Sequence, residues 1–69
     1  MSPVDTMLSR FEESRAKWLA AEVALARAVD AEGYGGHEDL VRDANLAYEA
    51  MECARMNLRL ALESIGGRL

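Results

Sequence analysis

With 69 residues, eight Lys/Arg, twelve Asp/Glu and a formal charge of −4, the chain has room for one domain, and chains this short bury only roughly 60% of their unfolded surface. Nucleic acid and anionic membranes recruit Lys/Arg clusters, yet residues 1–32 and 37–69 each hold four basic and six acidic side chains, so neither partner is expected. A single cysteine excludes an internal disulfide framework and, with a single histidine, falls short of a zinc set, which leaves association with another chain as the expected source of stability.

Ser2-Pro3-Val4-Asp5 reads as a helix start. Ser2 is the N-cap, Pro3 takes the first helical position where its missing N–H costs nothing, and an acid follows three residues after the cap. From there Val4, Met7, Leu8, Phe11, Trp18, Leu19, Leu25, Ala26 and Val29 fall on one side of a 100°-per-residue wheel. This predicts a first helix over about 3–32. Ala16, Ala20, Ala24 and Ala28 recur every four residues, which fits high helix propensity or the close approach of another helix.

Gly33-Tyr34-Gly35-Gly36 interrupts the helical pattern and predicts a turn over 33–36. Gly33 is placed to end the first helix in a left-handed conformation, because it has no Cβ to clash. Tyr34 is expected to fold back onto the hairpin, or else to serve as a docking anchor. His37 is read as a solvated residue at the start of the second helix, followed by acids that suit the helix dipole.

The second helix is predicted over about 37–65, with Leu40, Ala44, Ala47, Met51, Ala54, Leu58, Leu62 and Ile65 on one stripe and Gly66-Gly67 as its stop. Two helices of about 30 residues, roughly 45 Å each, joined by a short connection become antiparallel neighbours. Folding about the glycine turn pairs Val29 with Leu40, Leu25 with Ala44, Trp18 with Met51, Phe11 with Leu58, Leu8 with Leu62 and Val4 with Ile65. The expected fold is therefore all-α, an antiparallel two-helix hairpin associating into a four-helix bundle-type dimer or hetero-complex.

Leu46, Cys53 and Leu60 recur at seven-residue spacing outside that stripe, with Ala50 and Asn57 in the same strip. Met7, Ala21, Leu25 and Ala28 of the first helix are expected on the same side, and a second heptad strip marks an inter-chain helical interface. Glu at Leu46 and Leu60 is expected to split such an assembly. Arg15, Glu22 and Arg55 sit where the wheel asks for apolar groups, so each needs a partner or a path to water. Pairing of Glu12 with Arg55 or Arg59 would satisfy some of them as specificity-setting ion pairs, and Glu22 is expected to accept from the Tyr48 phenol or to reach a partner chain. The alternative is a small anionic ligand held between Arg15 and Arg55 at a subunit interface, since arginine presents a fork suited to carboxylates.

The residues carry no pattern that identifies a chemistry. Asp39/Asp43 and Glu49/Glu52 lack the Glu-x-x-His partners of di-metal bundles, the glycines follow no strand and supply no P-loop lysine, and Cys53 has no histidine beside it. Neither a catalytic residue nor a cofactor or metal ligand is assigned. The architecture of a short chain folded into two helices about a glycine turn is similar to the small hairpin chaperones that hold needle subunits of type III secretion systems. The expected function is that of a non-enzymatic interaction module: a small self-associating adaptor, chaperone-like protein or accessory subunit. Lacking a charged-then-apolar leader or a long apolar run, and with a lone thiol, the chain is expected in the cytoplasm.

Overall fold

The computed structural model describes residues 2–66 and consists of two helices, α1 (Pro3–Glu32) and α2 (Glu38–Gly66), packed against each other as a hairpin. Gly67, half of the expected stop, lies outside the described residues. The molecule measures 53 × 17 × 14 Å, one helix long, two helices wide and one helix thick.

Local chemistry sets each helix end. The Ser2 hydroxyl accepts from the Asp5 amide at 3.2 Å, satisfying an amide with no intrahelical partner, and the Ser2 carbonyl accepts the first helical bond from the Thr6 amide at 3.2 Å. At the other end of α1 the Gly33 amide donates to the Val29 carbonyl at 2.8 Å. Gly33 adopts φ 88° and ψ −172°. That is not the left-handed helical cap expected from the sequence but an extended positive-φ conformation open essentially to glycine alone. Gly36 also has positive φ, at 84°.

Half-buried or buried side chains mark the seam. On α1 they include positions 4, 7, 11, 14, 18, 21, 25 and 28, and on α2 positions 40, 44, 47, 51, 54, 58 and 61, continuing backwards to His37 in the turn. Alternating steps of three and four residues give a 3.5-residue period, so the two antiparallel helices meet along one continuous seam with heptad spacing. By register, layers of large side chains (Phe11 with Leu58, Trp18 with Met51) alternate with layers of small ones (Ser14 with Ala54, Ala21 with Ala47). Tyr48 packs its ring against Trp18 with centroids 5.7 Å apart and planes at 59°, within the tilted geometry that aromatic pairs favour.

Several expected seam residues lie elsewhere. Leu8, Leu19, Leu62 and Ile65 are 41–51% exposed, and Ala16, Ala20, Ala24 and Ala26 are exposed as well. The seam uses Ser14, Ala21 and Ala61 instead, because it follows 3.5 residues per turn rather than the 3.6 of a straight helix. Among the described residues only Ala44 and Met51 form a buried apolar core, at 2% and 7% exposure.

Candidate interaction faces

Because the helices are antiparallel, each side of the seam is a flank built from both. One, the tyrosine flank, carries Leu8, Arg15, Glu22 and Val29 of α1 and Val41, Tyr48, Arg55 and Leu62 of α2. The opposite cysteine flank carries Arg10, Lys17 and Ala24 with Ala50 and Asn57, and Leu46, Cys53 and Leu60 stand at its outer edge.

The expected interface residues divide between seam and cysteine flank. Met7, Ala21, Leu25 and Ala28 are half-buried along the seam, whereas Leu46, Ala50, Cys53, Asn57 and Leu60 are exposed. A groove of about 330 Å³ joins some of them: Met7, Ala50, Cys53 and Asn57 line it with Arg10, Glu13, Ser14, Lys17 and Ala54. Ala21, Leu25, Ala28, Leu46 and Leu60 are not among its walls. The groove floor is apolar but its α1 rim is charged, so this side is less continuous than its heptad of Leu46, Cys53 and Leu60 suggests.

Arg15, Glu22 and Arg55 are exposed on the tyrosine flank and not buried in the seam. The expected cross-hairpin ion pairs are replaced by short-range ones. Arg55 donates to Glu52 Oε2 from Nε at 3.1 Å and from Nη2 at 2.8 Å. The hydrogen bond and the charge of Glu52 raise the Arg55 pKa, reinforcing a guanidinium that is already protonated. Glu22 takes its hydrogen bond from the Trp18 indole, Nε1 to Oε1 at 3.2 Å, and not from the Tyr48 phenol. Tyr48 stacks on the same indole. Trp18, Glu22 and Tyr48 therefore form one connected unit across the two helices. Arg15 stands level with Arg55, and neither arginine lines the groove on the cysteine flank or a second cavity near the turn.

Among the described residues the other ion pairs stay within α2: Arg42 with Asp39 at 2.7 Å and Arg59 with Glu63 at 3.1 Å. Exposed pairs of this kind contribute about 0–1 kcal/mol each. They decorate the surface rather than lock the hairpin.

At the turn the structure corrects the reading of His37. It is not solvated but 8% exposed, and its Nε2 lies 2.8 Å from the Gly33 carbonyl oxygen. A carbonyl can only accept, so Nε2 carries the proton. The His37 carbonyl in turn accepts from the Val41 amide at 2.9 Å, so one residue caps α2 and ties it to the end of α1. The available signal was its position, three residues before Leu40 and seven before Ala44, in phase with the seam. Of the two expectations for Tyr34, folding back onto the hairpin is not met: it is 93% exposed. It lines the second cavity, of about 400 Å³, with His37, Glu38, Val41, Arg42, Asn45 and Leu46.

Among the described residues no group of three His, Cys, Asp or Glu side chains could hold a metal ion, and no helix is long and apolar enough to cross a membrane. Eleven large hydrophobic side chains among the described residues are exposed, including Leu8, Leu19, Val41 and Leu62 with Tyr48 on or beside the tyrosine flank, and Leu46 and Leu60 on the other. No protein-family model matches the chain, and no curated protein or solved structure is significantly similar to it.

Proposed function

We propose that the chain is a non-enzymatic protein–protein interaction module, an adaptor or accessory subunit whose working surface is the flank of a helical hairpin covered by helices of another chain. The observation that carries this reading is the imbalance, among the described residues, between a two-residue buried apolar core and eleven exposed large hydrophobic side chains. Folding must offset roughly 1–2 kcal/mol of backbone entropy per residue, and a single layer of half-buried contacts contributes little against it. Leu8, Val41 and Leu62 with Tyr48 on one flank, and Leu46 and Leu60 on the other, give each flank apolar side chains that association would bury. Covering the flanks with two further helices would complete a four-helix arrangement, in which each helix has two neighbours in place of one.

Light scattering on the purified chain, with far-UV circular dichroism on the same fractions, tests the proposal. An assembly larger than the 7.6 kDa chain, with helicity that falls on dilution, is the expected result. A fully helical monomer whose unfolding midpoint is independent of concentration would count against it, since the hairpin would then be sufficient alone.

A further inference from the structure

Resting on the interaction-module reading, we infer that the partner is a second copy of this chain, seated on the tyrosine flank through a twofold axis that lies in the interface and runs perpendicular to the helices. Such an axis reverses the order of levels along the hairpin while stacking α1 on the partner's α1 and α2 on the partner's α2. The row Leu8, Arg15, Glu22, Val29 is self-complementary under that reversal. Leu8 meets the partner's Val29, and Arg15 meets the partner's Glu22, each contact occurring twice as an isologous interface requires.

The row on α2 obeys the same rule. Val41 meets the partner's Leu62, and Tyr48 meets the partner's Arg55, an arrangement in which a guanidinium can lie on an aromatic face. Leu19, 42% exposed on the outer edge of α1, falls at the axis opposite the partner's Leu19. Glu52 also meets its own copy there, with its charge already engaged by Arg55 of its own chain at 2.8 Å.

Charge selects this axis over the other one. A twofold parallel to the helices would keep the levels and set Arg15 and Arg55 against the partner's Arg55 and Arg15, gathering four guanidiniums at one height. The cysteine flank has no comparable symmetry. Its row of Arg10, Lys17, Ala24 and Ala31 puts both cations on one half, so reversal sets them against alanines.

Area points to the same size of partner. The chain exposes 5332 Å², about 1,000 Å² more than the roughly 4,300 Å² expected for a compact chain of its 7.6 kDa mass. A standard interface removes about 800 Å² from each partner, so one face-to-face contact with an equal hairpin absorbs the excess.

The test is a charge swap on the full chain. Arg15→Glu/Arg55→Glu makes the central levels of the flank uniformly acidic, and Glu22→Arg makes them basic. Each variant alone should dimerise about tenfold or more weakly than the wild type, and a mixture of the two should recover a 1:1 heterodimer by light scattering. Leu46→Glu/Leu60→Glu, on the other flank, should dimerise like the wild type. As a second measurement, Leu19→Cys in a Cys53→Ser background should be joined to its own copy by a short bismaleimide, which reads the axis directly. Two results would overturn this face and axis while leaving the interaction-module reading intact. One is a dimer that survives both charge variants but is lost in Leu46→Glu/Leu60→Glu; the other is a Leu19→Cys variant that dimerises yet couples only at background. A stable helical wild-type monomer would overturn both the axis and the module.

Discussion

His37 and Gly33 close the hairpin through a single 2.8 Å hydrogen bond between the imidazole Nε2 and the carbonyl at the end of α1. The residue that caps the second helix thereby satisfies a carbonyl left without an intrahelical donor at the end of the first. The turn is held by this bond and by backbone geometry, not by packing of its tip, where Tyr34 is 93% exposed.

His37→Ala should cost about 0.5–1.5 kcal/mol, because it removes the side chain that donates to the Gly33 carbonyl in a part-buried hydrogen bond. Urea unfolding monitored by circular dichroism at fixed chain concentration measures the loss. An unchanged midpoint would show that water replaces the imidazole without penalty.

Gly33→Ala should destabilise by about 1–3 kcal/mol, since φ 88° with ψ −172° is a conformation that a Cβ disfavours. The strain is in the backbone, as an added Cβ meets nothing within 4 Å. Gly35→Ala is the control: its site is equally open and has no positive φ, so the change should be neutral or slightly stabilising through the unfolded chain. Parallel thermal melts of the two variants separate strain from space.

Met51→Ala should cost about 2–5 kcal/mol, a large fraction of the roughly 3–10 kcal/mol that a chain of this size commands. Met51 is one of two buried apolar side chains among the described residues and stands level with Trp18, leaving little else to refill the space. Loss of most far-UV helicity at 25 °C is the expected outcome. A helical variant with a melt unchanged from the wild type would contradict it.

Tyr48→Ala should shift the emission of Trp18, the sole tryptophan, to longer wavelength by uncovering the ring that Tyr48 now packs against at 5.7 Å. The tilted pair itself contributes about 0.5–1.5 kcal/mol beyond burial. Fluorescence spectra of native and urea-unfolded protein provide the comparison, and native emission unchanged by the substitution would refute the expectation.

Most of the architecture is legible in the residues. Ser2 and Pro3 start α1 and Gly33 ends it, because capping is local chemistry read from neighbouring side chains and backbone freedom. A four-residue glycine turn leaves antiparallel packing as the compact solution, and the pairing of Trp18 with Met51 and of Phe11 with Leu58 follows from counting back from it. Which side chains occupy the seam is decided only by the tertiary structure. A wheel drawn at 3.6 residues per turn drifts about 20° per heptad from the 3.5 period of two packed helices, and four heptads accumulate enough to exchange Ser14 and Ala21 for Leu8 and Leu19. The same drift moves Arg15, Glu22 and Arg55 out to the flank, where an adjacent turn of the same helix, not the other helix, supplies the partners of Glu22 and Arg55. His37 is hidden from the sequence for a related reason: its burial depends on the end of α1 being folded beside it, which is a property of the closed hairpin and not of the segment that contains it.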